Sequence, residues 1–459
     1  MTKEDLKTRL QAMGQEHLLK FWDELSEDGK RALAAQIASL DWAVLERMKS
    51  LVKERSSAPA AEIQPAPVEN PSEAERNLAR AEGEAAIRRG EVGVILVAGG
   101  QGSRLGFDGP KGCLPIGPIS GASLFSIHAR KVLALERKYG SKIPFYIMTS
   151  LSNDGATKKF FEQNSFFGLD PSRVVFFVQG MWPALDEEGR LILETKGSLF
   201  MGPDGHGGIL AAMRKNGVLD DMAKRGLATL FYFQVDNPLV EIADPVFIGL
   251  HRMKRADMSV KVCAKRDPEE GLGVVVVRNG RHAIVEYTEL TPEQKHERLL
   301  DGRLKFLYGS VAIHVFSLDF LRQEADRELP IHVAHKKVPF CDANGRIVKP
   351  DRPNAYKFEK FIFDALPDAR TVVNHVFRRE DEFSPVKNSE GPDSPATAQA
   401  DMIAKFARWL GAAGYRVPRG PDGKPSVKIE IDPCFADGPE ELRRRLGSSW
   451  TVKGDTLLV

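Results

Sequence analysis

The sequence predicts an α/β protein: a central, mixed but mostly parallel sheet flanked by helices, with a helical N-terminal segment and a small C-terminal α+β appendage. Three observations carry that expectation. Between residues 92 and 235, short apolar runs rich in β-branched and aromatic residues alternate with helical stretches, as in a parallel sheet built from crossover helices. One run, Val92–Ala98, feeds straight into a glycine loop, and another, Ala228–Val235, ends at an acid, Asp236. The chain has 459 residues, 42% of them hydrophobic, which at roughly 150 residues per domain is about three domains or one large unit with appendages.

Charge narrows the function classes. With 65 basic against 63 acidic residues the formal charge is +2, so there is no cationic excess to neutralise a nucleic-acid backbone. The start, MTKEDLKTRL, lacks the apolar core of a secretion signal. Apolar stretches such as Val94–Ala98 fall far short of the ~20 residues that span a bilayer. Four scattered cysteines (Cys113, Cys263, Cys341, Cys434) form no CxxC pair. These features predict a soluble, cytoplasmic protein without nucleic-acid or membrane partners.

Residues 1–55 read as an N-terminal helical segment. Leu18, Leu19, Trp22 and Leu25 form one apolar stripe, Leu33, Ile37, Leu40 and Val44 another, and Ser26 is placed to cap the helix between them. Residues 56–90 are expected to be a linker or strap with a lead-in helix, because Pro59, Pro65, Pro67 and Pro71 interrupt any regular element. The catalytic domain is expected over 91–390. Its elements are the strand Val92–Ala98, a helix over Ser123–Lys138, a strand over Pro144–Thr149 and a helix over Asp154–Asn164. A strand over Arg173–Gln179, one helix over Ile209–Arg225 and the strand Ala228–Val235 follow. Several strands in close succession occupy 258–316. Residues 391–459 are expected to form a small C-terminal domain with a helix near Ala396–Leu410.

The stretch VILVAGGQGSRLGFDGPKG at 94–112 carries the most chemistry. Glycines at 99, 100, 102 and 106 let backbone approach a phosphate, and Arg104 and Lys111 add full positive charge to the same loop. The spacing fits neither the dinucleotide fingerprint nor the P-loop. Asp236, delivered by a buried strand to the ligand-binding edge, is placed either to share a Mg²⁺ with substrate phosphates or to cap a turn. His332 and His335 lie three apart without further ligands, which argues against zinc. No general base stands out, as suits a reaction whose nucleophile is already an anionic phosphate.

Taken in order, the motifs resemble those of the eukaryotic-type UDP-N-acetylhexosamine pyrophosphorylases, a branch of the UDP-sugar pyrophosphorylases. They are LVAGGQGSRLG, PKG at 110–112, IMTS at 147–150, FFVQGMWPAL at 176–185, GPDGHGG at 202–208 and VDNPLVEIADPVFIG at 235–249. IVEYTEL at 284–290, HVAHKKVPFCD at 332–342, KPDRPNAYKFEKFIFD at 349–364 and REDEFSPVKN at 379–388 follow. The resemblance covers about residues 14 to 400. It implies a Rossmann-like, GT-A-like nucleotidyltransferase that converts UTP and an N-acetylhexosamine 1-phosphate to the UDP-sugar and pyrophosphate with Mg²⁺. It also implies a monomer or weak homo-oligomer. By the same resemblance Gly99, Gly100, Gly102 and Arg104 hold the nucleotide, Gln179, Gly205 and His206 face its base and ribose, and Asp236 binds the metal. Lys111 and Lys387 flank the reacting phosphate. Gly273, Glu286, Ser310, Phe361 and Phe363 line the sugar side, core packing being the alternative for Phe363.

Three departures from the family pattern bear on substrate choice. Ser103 stands for a usual Thr, His206 for a usual Asn, and GSVAIH at 309–314 for a pattern close to GNIANH, so that Ser310 and Ile313 replace two amides. A site that loses a hydrogen bond to its substrate relaxes or redirects choice. Glucose or galactose 1-phosphate is therefore an alternative substrate. A binding protein without catalysis, or a glycosyltransferase, is a further alternative. The latter usually carries a DxD motif, whereas Asp236-Asn237-Pro238 stands here.

Overall fold

The computed structural model describes residues 3–54 and 62–459. The expected proline-rich stretch at 56–71 falls outside the described residues as far as position 61, Pro59 included. Contacts gather the chain into two units, one of 1–61, 179–209 and 328–364, the other of 62–178, 210–327 and 365–459. The expected catalytic stretch 91–390 contributes to both.

The larger unit is built on a ten-stranded sheet. VGVILV at 92–97 and TLFYFQ at 229–234 are buried along nearly their whole length, as expected of parallel strands covered on both faces. Val92–Val97 lies between Phe145–Thr149 and Thr229–Gln234, and Val174–Val178 extends the sheet beyond Phe145–Thr149; these four strands are parallel. Beyond Thr229–Gln234 runs the antiparallel strand Tyr308–Ser317, which pairs with Met258–Ala264. Val274–Arg278 forms a hairpin with Arg281–Val285 through Asn279-Gly280, both at positive φ as a two-residue hairpin turn demands. Ile63–Pro65 pairs antiparallel with the other edge of Val274–Arg278, and Val372–Val376 runs parallel to Met258–Ala264.

This order positions the site. The chain leaves Val92–Val97 toward Phe145–Thr149, while Thr229–Gln234 joins on the opposite side, so the strand order reverses between Val92–Val97 and Thr229–Gln234. Ligands of open α/β sheets bind beyond the strand ends at such a reversal. Gln234 pairs with Val97, and the Val235 N–H donates to the Val97 carbonyl at 3.0 Å. Asp236 and Gly99 thus emerge side by side.

Local signals explain the helices. The Ser123 hydroxyl accepts from the Ser126 N–H at 3.1 Å and caps Leu124–Tyr139, which ends on Gly140 at φ 65°. The helix expected over 209–225 is two, Ile209–Lys215 and Val218–Lys224, because Gly217 adopts φ 67° and breaks the ladder between them. The C-terminal helix Pro395–Ala412 and the parallel strands Ile429–Ile431 and Thr456–Leu458 share one apolar core with the sheet, through Ala398, Met402, Leu410, Ile429 and Ile431.

In the smaller unit the helices are Lys3–Ala12, Glu27–Ser39 and Trp42–Glu54. The second anticipated stripe lies on the latter two and the turn between them. The first, Leu18 to Leu25, falls instead in two short 3₁₀ turns, Glu16–Leu19 and Trp22–Glu24, and not in an α-helix. Leu6, Leu10, Leu18, Trp22, Leu33 and Ile37 pack with Leu185, Leu191, Leu199 and Phe358. The Ser26 hydroxyl caps the second helix, accepting from the Gly29 N–H at 3.2 Å. A three-stranded sheet of His332–Lys336, Ala355–Glu359 and Leu185–Asp186 completes this core. Among the described residues no helix is long and apolar enough to cross a membrane.

Candidate active site

In the sheet unit the glycine loop is a folded-back hairpin. The Gly102 N–H donates to the Gly109 carbonyl at 2.8 Å and the Lys111 N–H to the Gly100 carbonyl at 3.1 Å. The Asn153 amide donates to the carbonyls of Ala98 and Gly100, pinning the loop where it leaves the strand. The N–H of Gly102 is therefore committed within the loop. A Cβ there would lie 2.8 Å from the Phe107 ring, so the glycine permits close packing of the turn.

The hairpin returns Lys111 to the strand end. Its ammonium lies 3.5 Å from Asp236 Oδ2 and 3.4 Å from the Val386 carbonyl, with the two side chains 20% and 13% exposed. The Val386 N–H donates to the Asp236 carbonyl at 2.8 Å, so the segment leading to Lys387 is stitched to the same strand end. Lys111, Asp236 and Lys387, far apart in sequence, are thus brought to one edge. Arg104 and Lys387 are exposed and have no ion-pair partner among the described residues, leaving both cations free for an anion. Asn237 is buried and structural: its amide donates to the Glu382 carbonyl and its oxygen accepts from the Ser384 N–H. Burial pushes the Cys113 thiol up to about 11, so two residues after Lys111 stands a thiol and not a thiolate.

Gly273, Glu286 and Ser310 come together in the antiparallel part of the same unit. The Ser310 N–H donates to the Gly273 carbonyl at 2.8 Å, and a Cβ on Gly273 would lie 2.9 Å from Glu286 Oε1. Ile313, by contrast, is buried in the sheet core. Its apolar side chain is used for packing there, and Ser310 is the position of the two that remains half-exposed.

The smaller unit holds Gln179, Gly205, His206, Phe361 and Phe363. Gly205 sits at φ 84° with the backbone of Lys360 against it. The Gly207 N–H donates to the Lys360 carbonyl at 2.8 Å, and the Lys360 N–H to the Asp204 carbonyl at 2.8 Å. His206 stacks on Phe361 at 5.2 Å between ring centroids and meets Phe363 at 5.7 Å. Its Nδ1 accepts the Ile362 N–H at 3.2 Å, which puts the ring proton on Nε2 as an available donor. Burial, and secondarily His332, lowers its pKa to about 4, so the ring is neutral at physiological pH. His332 in turn pairs with Asp364 at 2.8 Å and lies 4.5 Å from the Phe361 ring.

Asp204 escaped the sequence reading. It is buried, and Cβ atoms on Gly180 or Gly208 would each lie 2.2 Å from its carboxylate, so both glycines make room for it. Burial raises its pKa to about 6. The signal was the run GPDGHGG itself, an acid enclosed by glycines.

Gly205→Ala tests how tightly this turn is built. A Cβ at 205 would meet the Lys360 carbonyl oxygen at 2.4 Å and the Lys360 nitrogen at 2.8 Å, at a φ that side chains rarely adopt. The variant should lose about 1–3 kcal/mol of stability, read by urea unfolding. An unchanged midpoint would mean that the turn yields freely.

A parallel sheet that brings a glycine loop, free cations and one carboxylate to the edge where its strand order reverses is the arrangement of a nucleotidyltransferase. A family model described as UTP–glucose-1-phosphate uridylyltransferase matches residues 43–392, and the chain belongs to that family. It is 38% identical to human UDP-N-acetylhexosamine pyrophosphorylase-like protein 1, over 96% of this chain and 94% of that one. It is 33% identical to the UDP-N-acetylglucosamine pyrophosphorylase of Saccharomyces cerevisiae, over 99% of both. The crystal structure of the Trypanosoma brucei uridine diphosphate N-acetylglucosamine pyrophosphorylase, in complex with an inhibitor, superposes with a TM-score of 0.82 at 30% identity, covering 97% of this chain and 95% of that one.

Proposed function

We propose that this protein is a uridylyltransferase that joins UTP and N-acetylglucosamine or N-acetylgalactosamine 1-phosphate, releasing pyrophosphate. The observation that carries the reading is the Lys111 ammonium held beside the Asp236 carboxylate at the reversal of the sheet. The names of its relatives support the N-acetyl sugar. A phosphate oxygen of the sugar phosphate attacks the α-phosphorus of UTP, and the bond from that phosphorus to the bridging oxygen of pyrophosphate breaks in line. Lys111 and Lys387 offset the charge that gathers on the α-phosphate, and Arg104 that of the departing pyrophosphate. Without such cations two polyanions would repel each other.

Gln179 and Gly205 recognise uracil, and the Nε2–H of His206 supplies a donor beside the base and ribose. Glu286 accepts hydrogen bonds from sugar hydroxyls, with Gly273 leaving room for it and Ser310 close by. Phe361 and Phe363 give the sugar side an apolar wall. Among the described residues no group of three or more His, Cys, Asp or Glu is arranged to hold a metal. Asp236 alone suits Mg²⁺, which commonly takes one or two carboxylates and completes its shell with phosphates and water. When bound there, Mg²⁺ would neutralise triphosphate charge. Four free cysteines support a reducing, cytoplasmic setting. The expected state is a monomer or weak homo-oligomer, with the chemistry carried within 91–390.

Pyrophosphate release from UTP and Mg²⁺ with GlcNAc, GalNAc, glucose and galactose 1-phosphates tests this. Turnover confined to the N-acetyl sugars is the expected result. Turnover with glucose or galactose would show that Ser310 has re-tuned the pocket. Silence with all four, while UDP-sugar still binds, would make the protein a non-catalytic binder.

A further inference from the structure

Beneath the Asp236 edge the sheet unit buries charges that no step of the proposed reaction uses. Lys261, on the strand Met258–Ala264, is 0% exposed. Its ammonium lies 2.6 Å from both carboxylate oxygens of Glu382 and 2.8 Å from Asp244 Oδ2, with the rings of Phe247 and Phe377 within 6 Å. Asp244 is itself committed, because its carboxylate caps the helix Pro245–Met253 through the Val246 N–H at 2.9 Å. Apolar residues of similar size often fill such a space at no loss of stability. A buried charge cluster therefore calls for an explanation other than stability.

Its partners supply one. Glu382 begins the segment that ends at Lys387, and that segment is laced to the strand end of Asp236. The Asn237 amide donates to the Glu382 carbonyl at 2.7 Å, the Ser384 N–H to Asn237 Oδ1 at 3.1 Å and the Val386 N–H to the Asp236 carbonyl at 2.8 Å. A second tie holds the segment upstream, where Arg379 pairs with Glu270 at 2.6 Å. The loop after Asp236 is held in the same way. The Lys131 ammonium donates to the carbonyls of Pro238 and Val240 at 2.5 and 2.7 Å, and that of Lys405 to the Leu239 carbonyl at 3.1 Å. The two stretches that flank Asp236 and lead to Lys387 are thus both tied by buried lysines or ion pairs.

We propose that Lys261 and Glu382 are positioning residues for nucleotidyl transfer, fixing the segment that carries Lys387 against the strand end that carries Asp236. The inference rests on the uridylyltransferase reading. Neither residue touches substrate. The pair holds a proline-containing stretch as a fixed arm, and Lys387, whose side chain has no ion-pair partner among the described residues, depends on that arm for its place. Charge suits the task better than apolar packing, because an ammonium 2.6 Å from both oxygens of Glu382 fixes where that carboxylate sits more tightly than dispersion contacts would.

Three variants test it: Lys261→Met, Glu382→Gln, and the two together. In Lys261→Met, two buried carboxylates face each other without their cation, so thermal stability and turnover both fall. The double variant neutralises Glu382 and leaves Asp244 only its contact with the Val246 N–H, so it should recover part of the thermal stability. Its kcat should nevertheless stay at least tenfold below wild type, with the Kd for UDP-sugar changed less than threefold. Glu382→Gln alone should show the same split more mildly. Recovery of turnover in step with stability would reduce the pair to a structural role and overturn the proposal. Amide exchange separates this inference from the reaction itself. Faster exchange over 236–241 and 383–388 in the variants supports positioning even if wild type turns over none of the sugar phosphates, a result that would sink only the proposed reaction. Unchanged exchange in both stretches would overturn the positioning.

Discussion

Lys111→Ala should lower kcat for pyrophosphate release by roughly 10²–10³, while UDP-sugar binding changes less than about tenfold. The reason lies in where the ammonium sits. It is held by an acid on one side and a carbonyl on the other, at 3.5 and 3.4 Å, both longer than ideal. Neither contact saturates its three donors. A cation so placed gains most when charge builds on a nearby phosphate oxygen, and that happens in the transition state more than in either bound state. Interactions that strengthen only at that point appear in kcat and barely in affinity. Lys111→Arg should recover little, because a planar fork does not replace a compact point charge on a flexible stem. Stopped-time pyrophosphate assays paired with calorimetric UDP-sugar titration separate the two quantities. A variant that binds tenfold weaker at unchanged kcat would move Lys111 from the reacting phosphate to ground-state binding.

Asp236→Asn should be comparably severe, lowering turnover by about 10²–10³. The substitution keeps size and removes charge, so the carbonyl of residue 236 still accepts from Val386 and the fold is spared. What is lost is a hard anionic ligand and the counter-charge to Lys111. The distinguishing observation is metal dependence: half-saturating Mg²⁺ should rise several-fold, whereas UTP binding in the absence of metal should hold or improve, since a negative charge facing the triphosphate has gone. Wild-type turnover in Asp236→Asn would return the residue to the role of a turn cap.

The parts of this site that could be read from the chain are those with a short-range signature. The run from Val94 to Gly112 announces a strand, a tight backbone and two cations. The acid at 236 stands at the end of a largely apolar, aromatic-rich run, which points to a strand end. Gln179, Gly205, Glu286 and Lys387 have no such local mark, and only the ordered motifs of the family drew attention to them. The Lys261–Glu382 pair was invisible for a physical reason: its members are 121 residues apart, and isolated lysines and glutamates in a sequence read as solvated surface. The break at Gly217 has no local mark, because the apolar spacing on either side continues as though one helix ran through. Ile313, expected to replace a family amide, is buried in the sheet core, and nothing in the run GSVAIH marks that burial.

The make-up of the smaller unit has a consequence for how the protein is born. Its N-terminal helices and the turns between them present Leu6, Leu10, Trp22, Leu33 and Ile37, whose partners Leu185 to Leu199 and Phe358 lie far downstream. Its last segment ends at residue 364, about 310 residues after its first described segment closes at 54. At the ~5–20 residues per second of translation, those apolar stripes wait roughly 15–60 s on the ribosome for their final strand. Until Leu185 to Leu199 and then Phe358 emerge, the N-terminal helices lack their full native cover, and chaperone engagement during synthesis should concentrate on this first segment.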